Sequence, residues 1–202
     1  MKEFYHNLTT EKSFVTLQEL KRKSSFVLIG GWAVFLYSKT LKSKDIDIIV
    51  DYSELEKLRQ EFRLIKNNRL KKYEIKIEEV DIDIYTPFFS ILGLPAEEIL
   101  KYTQRHEGFV LPLPEVLLIL KIFVARQRKG TNKGRKDIID IFSLLRVVDI
   151  DWKLFEKLIK KHKLKELSQQ LGHIISTQSA IKELDLTDHK LSRLKKRILS
   201  AL

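Results

Sequence analysis

The sequence of 202 residues contains no cysteine, which excludes a disulfide scaffold, a zinc site built on thiolates and a cysteine nucleophile. Its five histidines are scattered, and no two of them have the spacing of a metal site, so we assign them no role. No apolar run approaches the length of a membrane span, and the first residues lack the apolar core of a signal peptide. We therefore expect a cytoplasmic protein with no membrane partner.

Charged residues are plentiful but unevenly divided along the chain. Hydrophobic residues make up 44% and charged residues 32%, which is ordinary for a folded protein of one large or two small domains. Residues 1–110 hold 18 basic and 17 acidic residues, whereas residues 111–202 hold 20 and 10, a net charge of +10. The basic second half predicts an anionic partner, the alternative being a solvated surface rich in lysine.

Residues 25–51 contain the pattern that carries the most chemical information. Residues 26–29 are apolar throughout, which is typical of a strand buried on both faces. Gly30 and Gly31 follow at once and supply backbone without Cβ, which can turn sharply and let a phosphate approach. Residues 32–37 are again apolar, which predicts a buried helix whose N-terminal N–H groups form an anion site.

A second strand, predicted over residues 45–50, carries two carboxylates. The period of two places Asp45 and Asp47 on one face and isoleucines on the other. Like charges about 6–7 Å apart repel each other unless a cation lies between them, and such oxygen ligands suit Mg²⁺ that holds a triphosphate. The alternative is an edge strand with a solvated acidic face. A second Asp-Ile-Asp, at Asp81 and Asp83, repeats the pattern downstream.

Further elements are predicted from cap and turn signals. Ser53, with Glu56 three residues later, forms a capping box at the start of a helix. Residues 75–86 form two strands or one bulged strand, and residues 105–111 form one extended segment. After Pro112 the chain is predicted to be helical, with helices at about 113–128, 135–147, 151–163, 164–181 and 187–201.

The order of these motifs resembles the nucleotidyltransferase superfamily typified by DNA polymerase beta. The matching features are the Gly-Gly pair, the Asp-Ile-Asp about a dozen residues later, and the isolated downstream strand with a third Asp. Within the superfamily the chain is most similar, over roughly residues 24–145, to small prokaryotic enzymes of the abortive-infection and type IV toxin–antitoxin kind.

The resemblance implies a fold and a division into domains. The fold is α/β (α+β), with a small, mixed, twisted sheet and flanking helices, followed by a helical C-terminal region. Residues 1–110 would form the nucleotidyltransferase catalytic domain, and residues 111–202 a helical, basic C-terminal domain.

The resemblance also implies transfer of a nucleoside monophosphate from a nucleoside triphosphate, such as ATP, to an acceptor, with Mg²⁺ or Mn²⁺ as cofactor. Asp45 and Asp47 would bind the metal ions. The third carboxylate, which would be catalytic and a metal ligand, is Asp81 or Asp83. We favour Asp83 because Tyr-x-Pro follows it, as is common in the resembling proteins.

In the same family, the glycine pair contacts phosphate groups. Gly30 and Gly31 would therefore cradle the β- and γ-phosphates through their backbone N–H groups. The family often has a serine after the pair, whose place Trp32 takes here, as it does in the toxin-like relatives.

Cations from the helical half would complete the nucleotide site. Lys121 and Arg126 are candidates, and a Lys-Asp-x-x-Asp segment similar to one in the toxin-like group would add Lys136 and Asp137. Asp137 would steer the lysine or act on the acceptor. Lys-Asp at a helix start is also an ordinary capping pattern, which is the alternative.

The basic half makes an RNA end, such as a tRNA acceptor, our first choice of acceptor. A protein acceptor, as in AMPylation, and a small antibiotic are the competing choices, although enzymes that modify cationic antibiotics usually have an acidic second half. From a different class, the chain would be a non-catalytic module that binds nucleic acid or a protein partner such as an antitoxin. The retained carboxylates argue against that alternative.

Overall fold

The computed structural model describes residues 7–199 of the chain. These residues form two compact units, which divide between Leu113 and Pro114. Residues 7–113, the sheet unit, contain a β-sheet and its flanking helices, and residues 114–199, the helical unit, contain helices. Within the described residues, every helix is too short or too polar to span a bilayer.

The strands of the sheet unit form one mixed sheet. Their bounds are β1 (Val27–Ile29), β2 (Ile46–Ile49), β3 (Ile65–Asn67), β4 (Lys72–Ile77), β5 (Val80–Tyr85), β6 (Thr103–His106) and β7 (Phe109–Pro112). The strand order is β3-β4-β5-β2-β1-β7-β6. The pairs β2–β5 and β1–β7 are parallel, and the other neighbours are antiparallel. The predicted α/β fold with a mixed sheet is confirmed.

Alternation over residues 46–48 of β2 and along β5 separates a buried face from a more polar one. On β2 and β5, the two aspartates Asp47 and Asp83 lie between isoleucines that are 0% exposed, namely Ile46, Ile48, Ile82 and Ile84. The apolar face is held in the core by the hydrophobic effect, at about 25 cal/mol per Å² of buried apolar surface. Because the side-chain period is two, this burial fixes the register and forces both aspartates onto the opposite face.

The helices of the sheet unit are α1 (Asn7–Lys23), α2 (Gly30–Ser38), α3 (Tyr52–Glu61) and α4 (Ala96–Ile99). The predicted capping box at Ser53 is wrong. Asp51 caps α3 instead, because its side chain accepts a hydrogen bond from the backbone N–H of Glu54 at 2.8 Å. Asp51 directly follows the turn out of β2, so strand and helix are joined with almost no loop.

Two tight hairpins account for the ambiguous strand segments. Glu78 and Glu79 form the turn between β4 and β5, so the alternative with two strands holds. The single extended segment predicted over residues 105–111 is wrong, because Glu107 and Gly108 turn the chain between β6 and β7. Both residues have positive φ, at 48° and 77°, as a two-residue hairpin turn requires.

The helical unit begins at Pro114. Its helices are α5 (Pro114–Gln127), α6 (Asn132–Val147), α7 (Trp152–Lys161), α8 (Lys165–Thr177) and α9 (Asp188–Leu199), with a 3₁₀ turn at Lys182–Leu184. Helix α6 begins three residues earlier than predicted, because Thr131 caps it by accepting from the N–H of Gly134 at 3.0 Å. Helix α8 ends at Thr177 rather than at residue 181.

Candidate active site

Two carboxylates lie side by side on the polar face of the sheet. Asp47 on β2 is the direct partner of Asp83 on β5 in the parallel register. Neighbouring strands are about 4.8 Å apart, so both side chains reach one small volume. Their oxygens are hard ligands of the kind that Mg²⁺ and Mn²⁺ prefer, and the pair therefore fits a divalent cation.

The other two aspartates of the repeated motif have different positions. Asp45 lies in a bend immediately before β2, so the sheet ladder does not hold it as it holds Asp47. Asp81 is exposed and pairs across the hairpin with Lys76, one strand repeat away from Asp83. The register thus places Asp83, and not Asp81, level with Asp47.

Gly30 lies against Asp47 at the start of α2. Its φ is +68°, and a Cβ added there would lie 2.7 Å from Cγ of Asp47 and would overlap the carboxylate oxygen Oδ2. Ile29, the residue before it, pairs with Asp47 across β1 and β2 and gives α2 no side-chain cap. The N–H groups of the first helical turn therefore lie beside this carboxylate, and the side chain of Ile29 does not cap them. Gly31 is buried in the same turn.

A lysine of β4 holds Asp83. The Nζ atom of Lys72 donates to Oδ2 of Asp83 at 2.6 Å and lies 3.0 Å from Oε1 of Glu74. The side chains are 12%, 21% and 34% exposed for Lys72, Asp83 and Glu74, so the group is largely shielded from water. Across residues 7–199, no three His, Asp or Glu side chains approach closely enough to hold a metal ion as they stand.

Burial and neighbouring charges shift the pKa values of these groups in different directions. Burial raises the pKa of Asp83, and the repulsion of Glu74 and Asp45 adds to this, while Lys72 opposes it in part. Burial lowers the pKa of Lys72, but its hydrogen bonds and its attraction to two carboxylates outweigh burial and raise it. The hydrogen bond from Lys72 lowers the pKa of Glu74. Asp83 is therefore a more basic carboxylate than usual, and Lys72 is a firmly protonated cation.

The cations predicted for the nucleotide lie in the helical unit and are paired there. Nζ of Lys121 on α5 lies 2.6 Å from Oδ2 of Asp140 and 3.2 Å from Oδ1 of Asp137, both on α6. Nζ of Lys136 lies 3.3 Å from the same oxygen of Asp140. All four side chains are buried, and their formal charges cancel. Such a cluster joins two helices, and each buried charge is compensated by oppositely charged partners, so that loss of one partner would be destabilising.

Arg126 differs from that buried cluster. It lies on the surface of the helical unit, where it forms an ion pair with Glu166. A nucleotide-binding role for Lys121, Arg126, Lys136 and Asp137 stays a prediction.

Known proteins were compared at the level of sequence and of structure. Neither a protein-family model nor a curated protein matches the sequence. An antigenic nucleotidyltransferase-like protein of Paracoccidioides brasiliensis superposes with a TM-score of 0.52 and 18% identity, over 93% of this chain and 92% of that chain. A Helicobacter pylori protein assigned as a nucleotidyltransferase gives 0.51 and 13%, over 96% and 93%. The protein JHP933 of the same organism gives 0.50 and 13%, over 96% and 90%.

The chain has the nucleotidyltransferase fold. At 13–18% identity the solved structures share this fold, and the activity has to be argued from the side chains of the site. In this nucleotidyltransferase fold the Gly-Gly turn, Asp47 and Asp83 come together on three adjacent strands or their ends.

Three residues of the candidate site were not found from the sequence. Lys72 and Glu74 share the polar face because they are two apart on β4, and Glu74 is the direct partner of Asp83. Tyr85, two residues after Asp83, donates from its hydroxyl to Oδ1 of Asp47 at 3.5 Å, the long end of the hydrogen-bond range. Once β4 and β5 are recognised as a hairpin, the period of two points to all three.

Proposed function

We propose that this protein transfers a nucleoside monophosphate from a nucleoside triphosphate to an acceptor hydroxyl, with Mg²⁺ or Mn²⁺ as cofactor. The observation that supports this most is the placement of Asp47 beside Asp83, with Gly30 packed against Asp47. A merely solvated acidic face would not need a glycine at that point, and it would not bury Asp83. Asp45 would complete the ligand set from the bend before β2.

The chemistry would be an in-line displacement at the α-phosphorus. The acceptor oxygen forms a bond to that phosphorus, the bond from phosphorus to the bridging α–β oxygen breaks, and pyrophosphate leaves. When bound, the divalent ion supplies Lewis acidity for the charge that develops on these oxygens. Asp83 would take the proton of the acceptor hydroxyl, since its carboxylate lies level with Asp47 on the polar face of the sheet.

The backbone of the turn between β1 and α2 would bind the leaving pyrophosphate. The N–H groups at Gly30 and Gly31 lie at the positive end of the dipole of α2, which attracts anions. Because these groups belong to the backbone, they are fixed before the substrate arrives.

The roles of the two candidate third carboxylates can be separated by paired substitutions. We expect Asp83→Ala to lower nucleotidyl transfer at least about a hundredfold, a loss of about 2.7 kcal/mol, because it removes a metal ligand and the base. Asp81→Ala should change the rate less than about threefold, because this side chain is exposed and one strand repeat away. The assay follows a label on the α-phosphate into acceptor, with thermal melting of each variant as a check on folding.

The pair also defines what would contradict this assignment. Loss of activity in Asp81→Ala with retention in Asp83→Ala would mean that the catalytic register is displaced by one strand repeat. Retention in both variants would remove the third carboxylate and, with it, the proposed transferase.

An RNA end is the acceptor that the charge of the chain favours. Residues 111–202 carry a net charge of +10. On α7, the residues Phe155, Leu158 and Ile159 are buried, while the outer face presents lysines beside a half-buried tryptophan. This outer face, the α7 surface, is a shallow groove lined by Trp152, Lys153, Glu156, Lys157 and Lys160.

The α7 surface has the composition of a site for single-stranded nucleic acid. Only Lys160 among its lysines is paired on that surface, with Glu156 at 2.9 Å, and its side chain is still 78% exposed. Lysines there can contact phosphates while the aromatic ring stacks on a base, which is worth about 1–3 kcal/mol for each base. A cytoplasmic location and an antitoxin or other protein partner stay predictions.

Salt dependence tests whether the α7 surface binds RNA. With Lys153, Lys157 and Lys160 all replaced by Gln, we expect the slope of log affinity against log salt to fall in magnitude by about 2, since each lost contact to a single strand contributes about 0.7. Trp152→Ala should weaken binding about tenfold at every salt concentration. The measurement is fluorescence anisotropy with a labelled tRNA and with an unstructured RNA.

The matched control removes three positive charges from the sheet unit, at Lys21, Arg22 and Lys23 in the last turn of α1. This variant should keep the slope of the wild type. Equal slopes for both triple variants would show that the net charge of +10 acts as diffuse surface charge. In the transfer assay, label that appears in cell protein instead of RNA would favour a protein acceptor.

A further inference from the structure

We infer that the ammonium group of Lys72 holds the place of a cation at Asp83, and that a divalent metal ion competes with it for the charge of that carboxylate. This inference rests on the proposed function, because it concerns the same metal site. Its consequence is that the free protein binds metal weakly.

The geometry places Lys72 on one oxygen of a carboxylate of the site. Its Nζ atom lies 2.6 Å from Oδ2 of Asp83, within the range of a strong, charge-assisted hydrogen bond. Asp83 is also the strand partner of Asp47, so the lysine binds one member of the pair that would share a cation. The same oxygen cannot direct its lone pairs fully to both an ammonium group and a metal ion.

Charge balance explains why the lysine is held there. Asp47, Asp83 and Glu74 lie at neighbouring positions on β2, β5 and β4, and Asp45 precedes β2. Without a cation, like charges in a half-buried group repel one another and raise the free energy of the folded state. Lys72, only 12% exposed, supplies the missing charge as part of the chain.

Glu74 gives the lysine a second partner. Nζ of Lys72 lies 3.0 Å from Oε1 of Glu74, and that oxygen also accepts from the side-chain amide of Asn67 at 3.0 Å. Release of Asp83 would therefore leave Lys72 with a carboxylate partner. The exchange costs one ion pair, so metal affinity falls but is not abolished.

Direct metal binding tests the inference without any use of activity. Titration calorimetry with Mg²⁺ and electron paramagnetic resonance with Mn²⁺ are carried out on the full chain without nucleotide. We expect Lys72→Met to bind Mn²⁺ at least about tenfold more tightly than the wild type, which corresponds to about 1.4 kcal/mol. Lys72→Arg, which keeps the positive charge, should bind within about twofold of the wild type, because the charge sets the competition.

Lys76→Met is the matched control. Lys76 lies on the same face of β4 and is the strand partner of Asp81, so this variant makes the same chemical change without touching Asp83. Its metal affinity should equal that of the wild type. If Lys72→Met is less stable, thermal melting with and without Mn²⁺ replaces titration, and added Mn²⁺ should raise its Tm more than that of the wild type.

The outcomes separate this inference from the proposed function. If the wild type binds metal and Lys72→Met binds it equally tightly or more weakly, the role of Lys72 is overturned. The metal site itself stays in place. If neither protein binds metal, even with a triphosphate present, the metal-dependent transferase itself is overturned. An equal gain in Lys76→Met would show that net charge, and not the position of Lys72, controls affinity.

Discussion

Gly30→Ala is expected to disable the protein in both stability and activity. The new Cβ would overlap the carboxylate of Asp47, and the φ of +68° is one that residues with side chains rarely adopt. The left-handed conformation costs about 1–2 kcal/mol, and the forced shift adds about 1–3 kcal/mol. We therefore expect the free energy of unfolding to fall by about 2–5 kcal/mol and nucleotidyl transfer to fall at least about a hundredfold.

Gly172→Ala is the control for this substitution. Gly172 lies within α8, and a Cβ added there meets nothing within 4 Å. Because Ala is the better helix former, this variant should be as stable as the wild type or more stable, by up to about 1 kcal/mol. Urea unfolding of both variants measures the effect. Wild-type stability and activity in Gly30→Ala would contradict the close packing of the turn on Asp47.

Asp47→Asn is expected to abolish nucleotidyl transfer while the fold survives. The amide keeps the shape of the side chain but loses the charge that would hold a metal ion, which is worth several kcal/mol in the transition state, or about a thousandfold in rate. Removal of one of two neighbouring carboxylates relieves repulsion, so the Tm should be unchanged or slightly higher.

Asp51→Asn makes the same chemical change just after β2 and serves as its control. Asp51 is exposed and caps α3, and Asn is as good an N-cap as Asp. Both stability and activity should stay close to the wild type. Retention of more than about a tenth of the activity in Asp47→Asn would remove Asp47 as a metal ligand.

The central strands could be predicted because burial repeats with the period of the strand. Alternating isoleucines on β2 and β5 fix which face is buried, and this places Asp47 and Asp83 on the other face without any knowledge of the sheet order. The short apolar run of β1 and the glycine pair are local signals of the same kind. Tertiary structure was needed only for the pairing of β2 with β5.

The contribution of β4 could not be predicted, for a physical reason. Residues 62–73 show no consistent alternation of polar and apolar residues. The sequence therefore does not indicate where β4 begins or which of its side chains share a face. Lys72 matters only through its register opposite β5, and register is a property of the hairpin rather than of local sequence. The turn at Glu107 could not be predicted either, because a glutamate in the sequence does not indicate a backbone with positive φ.

In the helical unit, sequence spacing indicated which residues matter but not what they contact. The Lys-Asp-x-x-Asp segment lies on α6, yet the lysine nearest to Asp140 is Lys121, nineteen residues earlier on α5. Such long-range pairing depends on how two helices pack, which periodicity alone does not specify.

The fate of the α-phosphate is the most direct test of the account. Each of the four nucleoside triphosphates, labelled at the α-phosphate, is incubated with Mg²⁺, total RNA and cell protein, and with wild type or Asp47→Asn. We expect label from at least one nucleotide to become attached to an acceptor, with one pyrophosphate released per transfer, only with wild type and only with a divalent ion. No attached label from any nucleotide, or equal labelling with Asp47→Asn, would contradict nucleotidyl transfer at Asp47 and Asp83.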